Sequence, residues 1–219
     1  MPFVFTKGTA IGVAENVIKG MMGAQHILEE EKGRSYLEGV RQWAAQKSVT
    51  AQRVLNTIDS YPHPIHVVAM IGGYTCFDNE PLPGGVIFID VSINASVRTT
   101  GALGVHGKFE RQHPFITFLH ECGHAVQNIE NPSQFLNSAK GPLSLLSADI
   151  ATAARQRGDR IFSHIPYSER RVWFATNGPI IGQPWCVRLE YDNIYRHERP
   201  ICIEAGEPMR DYYIDFRKN

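Results

Sequence analysis

The fold is decided by one apolar stretch, which reads Phe118-Leu119-His120-Glu121-Cys122-Gly123-His124-Ala125. Pro114 precedes it at a position that suits the first turn of a helix, where the missing N–H of proline costs nothing, and His113 stands at the cap. We therefore predict a helix over residues 114–128 that is buried on most sides. Gly123 lowers helix propensity, which indicates that a neighbouring element or a substrate needs the space beside it.

The spacing of the polar residues in this helix is typical of a zinc site. His120 and His124 are four residues apart, so both imidazoles lie on one face, one turn apart, and can reach the same ion. Glu121 is placed to take a proton from a water molecule that the metal has made acidic. Cys122 points away from this face and is expected to pack in the core. The sequence thus predicts a hydrolase that uses Zn²⁺, with Glu121 as its catalytic base.

A third ligand has to come from elsewhere in the chain, because a hydrolytic zinc normally has three protein ligands and one position open for water. The residues after His124 hold no Gly and His at the spacing of a third histidine ligand. The acidic candidates are Glu190, Asp192 and Glu169. Glu190 and Asp192 would point to different sides of a helix, so only one of them can face the metal. The residues alone slightly favour Glu190, because its side chain is longer.

The remaining segments predict an α+β fold. Helical patterns cover residues 13–28, 34–45, 49–58, 143–156, 168–176 and 184–199, and Ser48 is the expected N-cap of the third of these helices. The β-branched runs 65–71 and 85–91 predict paired strands, and residues 94–112 are predicted to be a loop. We expect one compact, minimal zincin-like domain whose active-site helix packs beside a small twisted sheet. The edge of that sheet is expected to bind an extended peptide by strand addition.

The composition argues against several classes of partner. Lys+Arg and Asp+Glu both number 22 in the 219 residues, so charge gives no reason to expect nucleic acid or an anionic membrane surface. No run approaches the roughly 18–20 apolar residues that span a bilayer. The first residues lack the basic and apolar pattern of a secretory signal, so export is expected to need another route. The 4 cysteines form no Cys-x-x-Cys pair and are predicted to be free thiols.

Several segments together resemble the NleD-type effector metallopeptidases, a family that includes toxin domains attached to Rhs and VgrG proteins. The family shows a Ser-x-Thr segment, a strand-rich stretch, the HExxH helix, a late Glu-Asn-x-x-Arg-x-Glu segment and a Pro-x-Arg-x-x-Tyr signature. The matching segments here are Ser48-Val49-Thr50, the strands near 65–91, His120–His124, Asp192-Asn193-Ile194-Tyr195-Arg196-His197-Glu198 and Pro208-Met209-Arg210-Asp211-Tyr212-Tyr213. The similarity covers roughly residues 36–128 and 188–214.

The resemblance implies roles for three further residues. Asp192 takes the place of the family's Glu as the third zinc ligand, although an additional stretch, 199–205, separates the two halves of the C-terminal signature. Arg196 and Tyr213 are implied to stabilise an oxyanion or to brace the site. On this basis Asp192 is preferred to Glu190.

The resemblance also implies a function and a biological setting. It predicts a zinc endopeptidase that acts as a secreted or injected toxin or effector and cleaves proteins of a target cell. Its expected partners are a protein or peptide substrate, a secretion-system carrier and an immunity protein. Residues 1–33 are interpreted as a connection to a carrier and residues 34–219 as the metallopeptidase domain.

Two alternatives stay open at this point. One is a zinc-dependent amidase that acts on a cell-wall or small-molecule amide. The other is a non-catalytic interaction protein with a degenerate site.

Overall fold

The computed structural model describes residues 3–79, 82–93, 95–98, 109–138, 160–162, 185–187, 192–209 and 216–218. The strands are β1 (Phe3–Phe5), β2 (His26–Ile27), β3 (Ile65–Ile71), β4 (Cys76–Asp78), β5 (Val86–Asp90), β6 (Ala95–Arg98), β7 (Phe109–Arg111), β8 (Arg160–Phe162), β9 (Trp185–Val187) and β10 (Phe216–Lys218). The α-helices are α1 (Glu15–Met22), α2 (Glu30–Lys47), α3 (Val49–Asp59), α4 (Pro114–Glu130), α5 (Pro132–Ser138) and α6 (Arg199–Ala205). A 3-10 turn covers Thr9–Ile11, and a π-helix covers Ile194–Glu198. The protein is therefore a mixed α+β structure, as predicted.

The central sheet is built around β3. Its strand order is β1-β3-β5-β4, and β2 pairs with the far end of β3. β1 and β5 run parallel to β3, whereas β2 runs antiparallel to it and β4 antiparallel to β5. The predicted pairing of the two β-branched runs is confirmed, with Val68 opposite Phe88. Elsewhere, β6 pairs with β7 and β10, and β8 pairs with β9.

β3 is buried on both faces, which explains why its sequence is continuously apolar instead of alternating. Val67 and Ala69 belong to the main core, together with residues of β1, α2, α3 and α4. Val68 and Met70 belong to a second apolar cluster with residues of α1 and β2. Each fully buried valine of this kind contributes about 1.5–3 kcal/mol relative to an exposed one. The sheet is thus a middle layer, and α4 packs on one of its sides.

The N-terminal residues take part in this core. Phe3 and Phe5 are buried, and the Phe3 ring centroid lies 6.0 Å from that of Phe118 in α4. A Cβ at Gly33 of α2 would collide with the Phe5 ring, so this glycine lets α2 approach β1. The assignment of residues 1–33 to a carrier connection stays a prediction.

The Ser-x-Thr segment forms a cap at the start of α3. Ser48 Oγ accepts a hydrogen bond from the Ala51 N–H over 2.9 Å, which confirms Ser48 as the N-cap. Ser48 Oγ also donates to Glu204 of α6 over 2.6 Å. Glu204 accepts two further hydrogen bonds from Thr50, one from its N–H (2.8 Å) and one from its hydroxyl (2.6 Å). A carboxylate at a helix N-terminus also interacts favourably with the helix dipole.

Two predicted elements are shorter or interrupted in the structure. The helix predicted over residues 13–28 ends at Met22, because Gly23 adopts φ 65° and closes the helix before β2. The loop predicted over residues 94–112 is partly wrong, because β6 and β7 lie within it. The two strands pair with each other, and β6 also pairs with β10, a contact over about 120 positions that local sequence does not reveal.

The late helix is also different from the prediction over residues 184–199. β9 lies inside this range, and helical structure is described from Asp192 onwards, continuing through the π-helix into α6. The additional stretch 199–205 is therefore α6 itself. The helices predicted over residues 143–156 and 168–176 lie outside the described residues. None of the described helices is long and apolar enough to cross a bilayer.

The Glu204 contacts lead to a pH-dependent stability prediction. Burial alone would raise the pKa of Glu204, but the hydrogen bonds from Ser48 and Thr50 outweigh it and lower this pKa below its usual value. A carboxylate with a lowered folded-state pKa stabilises the protein above its unfolded-state pKa, and this contribution is lost as pH falls through the folded-state pKa. We expect Glu204→Gln to lose about 1 kcal/mol of unfolding free energy at neutral pH, as for other helix caps. The difference from wild type should shrink on acidification below the ordinary carboxyl pKa, 4.5.

Urea unfolding over a series of pH values measures this difference. Glu38→Gln is the matched control, because Glu38 is an exposed carboxylate of α2 whose hydrogen bond goes to Gln42 one turn along the same helix. A Glu204→Gln variant with the pH profile of the Glu38→Gln variant would contradict the cap.

Candidate metal centre

α4 begins at Pro114, as the sequence predicts, and ends at Glu130, two residues beyond the predicted end. The His113 side chain accepts a hydrogen bond from the Phe115 N–H over 3.3 Å, which satisfies one of the unpaired donors of the first turn. Glu207 also stabilises the N-terminus of α4, because the His113 N–H donates to its carboxylate over 2.8 Å. The helix is anchored at its N-terminus before the HExxH residues begin.

The three polar residues of the motif are buried within α4. His120, Glu121 and His124 are 6%, 7% and 5% exposed. The imidazole centroids of His120 and His124 are 4.8 Å apart, with the rings edge to face. The structure therefore places both imidazoles on one face of the helix, one turn apart. Buried polar side chains of this kind are costly unless each has a partner, so their hydrogen bonds determine what the site can do.

Each imidazole has an acceptor at its Nδ1 atom. His120 Nδ1 lies 2.7 Å from the Glu198 carboxylate, which is 2% exposed. His124 Nδ1 lies 2.9 Å from Gln127 Oε1. An ionised carboxylate and an amide oxygen accept hydrogen bonds, so both contacts are satisfied in the tautomer that carries the proton on Nδ1. This tautomer assigns Nε2, with its lone pair, as the nitrogen that can ligate a metal in both histidines.

Asp192 is joined to this arrangement through Gln127. The Gln127 side-chain amide donates to Asp192 Oδ2 over 2.9 Å, while its oxygen faces His124. Arg196 Nε donates to Asp192 Oδ1 over 2.7 Å. A chain of contacts thus runs from His124 through Gln127 and Asp192 to Arg196. Arg196 thus contacts the Asp192 carboxylate directly, and the role that the resemblance implies for it stays a prediction.

Gly123 explains how the late segment approaches α4 so closely. A Cβ at this position would overlap Asn193 Oδ1 and would lie 3.1 Å from the His197 ring carbon Cδ2. Asn193 is fully buried there, and its amide donates to the backbone oxygen of His120 over 2.9 Å. The prediction that Gly123 leaves space for a neighbouring element is confirmed.

The late segment brings two residues to the same histidine, one just before the π-helix and one at its end. Asn193 contacts the His120 carbonyl, and Glu198, five positions later, contacts the His120 ring. In an α-helix two residues five apart differ in direction by about 140°, since the repeat is about 3.6 residues. A π-helix is wound with i to i+5 hydrogen bonds, so residues five apart lie nearly above one another. The wider winding therefore lets both side chains reach His120.

Burial determines the protonation of the other titratable groups near the site. It lowers the pKa of His197 to about 3, and the guanidiniums of Arg53 and Arg196 act in the same direction. Burial likewise raises the pKa of the Cys76 thiol to about 12 and that of Cys122 well above its ordinary value, with the Glu121 charge adding to both. His197 is therefore neutral and neither thiol is ionised at neutral pH, which excludes both cysteines as thiolate nucleophiles. Cys122 packs in the main core, as predicted.

The structure thus brings together part of the predicted site. His120, Glu121 and His124 share the buried helix, and Asp192 and Arg196 reach it through Gln127. Among the described residues, no three His, Cys, Asp or Glu side chains are arranged as a ready metal cage. Glu190, Glu169 and Tyr213 lie outside the residues that the structure describes. Of the cysteines, Cys76, Cys122 and Cys202 are free thiols, as predicted.

Three contributors were not assigned roles from the sequence: Gln127, Asn193 and Glu198. Asn193 and Glu198 belong to the late segment that carries the resemblance, so their presence was visible but their contacts to His120 were not. Gln127 has a local signal, since it stands three residues after His124 and therefore on the same side of the helix.

No protein-family model, no curated protein and no solved structure matches this chain.

The contact at Gly123 predicts an unusual response to a helix-favouring substitution. Gly→Ala inside an exposed helix stabilises by about 1 kcal/mol. At Gly123 the added methyl group would meet Asn193, and we expect a net loss of about 1–3 kcal/mol, as for other overpacked sites. Gly20→Ala in α1 is the control, because a Cβ there meets nothing within 4 Å. Urea unfolding of both variants measures the effect.

A double variant separates this contact from a general intolerance of α4. Asn193→Ala removes the overlapping amide, so it should cost less in the Gly123→Ala background than in wild type. Equal effects of Asn193→Ala in the two backgrounds would show that the two residues do not interact.

Proposed function

We propose that this chain is a zinc-dependent endopeptidase of zincin-like architecture. The observation that carries the proposal is the pair of buried acceptors, Glu198 and Gln127, at the Nδ1 atoms of His120 and His124. Histidines that ligate zinc are commonly held in this way, with the second ring nitrogen donating to a carboxylate or an amide oxygen. An ordinary core helix has no need of two adjacent imidazoles with fixed tautomers.

The donor set fits zinc, since imidazole nitrogens and a carboxylate are its usual protein ligands in hydrolases. His120 and His124 would hold the ion, with Asp192 as the third ligand and Glu190 as the alternative. Asp192 is favoured by the resemblance to NleD-type effectors, and its carboxylate is linked to His124 through Gln127. When bound, zinc would supply Lewis acidity toward a carbonyl oxygen and make a water molecule more acidic.

Glu121 is the residue that we assign to proton transfer. It is 7% exposed and follows directly on His120, so its carboxylate acts in an environment with little competing water. It takes a proton from the attacking water and passes it to the nitrogen of the departing amine. Glu198 serves as a positioning residue, because it contacts the His120 ring and fixes which nitrogen carries the proton.

A peptide is the substrate class that the surroundings favour. β4 ends the described order of the central sheet, and a terminal strand of this kind can pair with an extended peptide. Aromatic contacts connect this strand to the motif, since the Phe135 ring lies 5.7 Å from that of Phe77 in β4 and 6.4 Å from that of His124. A peptide along β4 would therefore pass close to the candidate centre.

The biological setting that we propose rests on the resemblance to NleD-type effectors. It predicts a toxin or effector that is exported by a dedicated machine, delivered into another cell and directed at few proteins there. A secretion-system carrier and an immunity protein are the partners that this setting requires.

Zinc content tests the metal centre directly. We expect about one zinc per wild-type chain by elemental mass spectrometry after zinc loading and desalting. Asp192→Ala should lose most of it, whereas Glu190→Ala should retain it if the folded state of both variants is intact by circular dichroism. Loss in Glu190→Ala alone would move the third ligand to that residue, and a zinc-free wild type would overturn the proposal.

Hydrolysis separates the roles of Glu121 and the metal ligands. Glu121→Gln keeps the shape of the side chain but removes the proton acceptor, so cleavage of a quenched-fluorescence peptide library should fall by about 100-fold or more. Its zinc content should equal that of wild type. A Glu121→Gln variant that still cleaves at the wild-type rate would exclude Glu121 as the base.

A further inference from the structure

A second concave site lies beside the candidate centre, between α3, α4 and the π-helix. It is a cavity of about 250 Å³. This volume is below that of typical drug-sized ligand pockets and suits a small molecule or a single side chain. Its lining includes Arg53, Val54, Val126, Glu130, Arg196 and His197.

The charged residues give the cavity a positive balance. Arg53 and Arg196 each contribute a guanidinium, whereas Glu130 contributes the one carboxylate among the described lining residues. The Arg53 guanidinium makes no ion pair within the described part of the chain. Its charge lowers the pKa of His197 and that of Glu204. Arg196 uses Nε for Asp192, and a guanidinium has four further N–H donors.

The inner wall is the His197 ring. His197 is 6% exposed, and neither of its ring nitrogens has a hydrogen-bond partner among the described residues. Most buried polar groups in proteins are hydrogen-bonded, so a buried imidazole without a partner needs an explanation. The unsatisfied imidazole beside two guanidinium groups marks this part of the molecule as an incompletely satisfied polar site.

We propose that this cavity binds a small oxyanion, a carboxylate or a phosphate group, between Arg53 and Arg196. Guanidinium groups match the planar geometry of carboxylate and the oxygens of phosphate, and they form paired, charge-assisted hydrogen bonds with both. Val54 and Val126 leave room for a short apolar portion of the ligand. The oxyanion would contact the guanidinium groups directly, so its binding does not require the proposed peptidase activity.

Arg196 gives this second site a connection to the first. The same side chain lines the cavity and pairs with Asp192. An oxyanion that holds Arg196 in place would also hold the Asp192 carboxylate, so ligand binding in the cavity and metal binding at the motif are coupled through one residue. Such coupling is reciprocal by thermodynamic necessity.

Calorimetric titration of the full chain as purified tests the site, with inorganic phosphate and N-acetyl-glutamate as probes at constant ionic strength. We expect saturable binding of one equivalent, weakened by about tenfold or more in Arg53→Gln, as for loss of a charge-assisted pair. Arg34→Gln is the control, since Arg34 is exposed on α2 and pairs with Glu30 in its own helix. Glu130→Gln should tighten binding by about two- to fivefold, the scale of an exposed charge interaction.

The two probes separate the sources of the oxyanion. Tighter binding of phosphate would indicate a phosphorylated ligand, and tighter binding of N-acetyl-glutamate would indicate an acidic side chain. The proposal is overturned if neither probe saturates, or if Arg53→Gln and Arg34→Gln bind alike. Because the readout is heat of binding, an inactive or zinc-free protein would leave this result interpretable.

Discussion

The contact between Gly123 of α4 and Asn193 sets the distance between the two segments that supply the candidate centre. With no Cβ between them, the late segment lies close enough for the Asn193 amide to reach the His120 carbonyl. Glu198, at the end of the π-helix that follows Asn193, then reaches the His120 ring. If the segment lay further out by the thickness of a methyl group, these short contacts would lengthen together. Glycine at position 123 lowers the helix propensity of α4 but allows this close approach.

The candidate centre is polar and buried, and burying polar groups lowers the free energy of unfolding. Imidazole, amide and carboxylate groups occupy one side of a helix whose other sides pack into the main core. Desolvation of these groups costs free energy, and their mutual hydrogen bonds recover only part of it. The apolar residues of α4, with Phe118 and Leu119 fully buried, supply the compensating burial. A metal ion bound by the two imidazoles would add to this balance.

Local signals predicted much of this structure. β3 was visible as a β-branched run, α3 through its Ser48 cap, and α4 through Pro114 and the motif, because each signal involves neighbours within a few residues. β6 and β7 were missed because both are short and β6 takes its second partner from the distant β10, and β9 was mistaken for helix because three residues carry too short a pattern to tell the two apart. The π-helix could not be predicted, because no local pattern in residues 194–198 distinguishes its winding from that of an α-helix. The hydrogen-bond acceptors of His120 and His124 could be identified only from the tertiary structure.

The distances along the chain between these partners have a consequence for biosynthesis. His120 and Glu198 are separated by 78 positions, and Ser48 and Glu204 by 156. A ribosome that has completed the HExxH helix still has to synthesise residues 131–198 before the first of these late partners becomes available. Contacts that span such lengths also form late in folding, because the closure of long loops is entropically unfavourable. The nascent protein therefore carries its motif without Glu198, and the contacts around His120 are completed only when the late segment packs against α4.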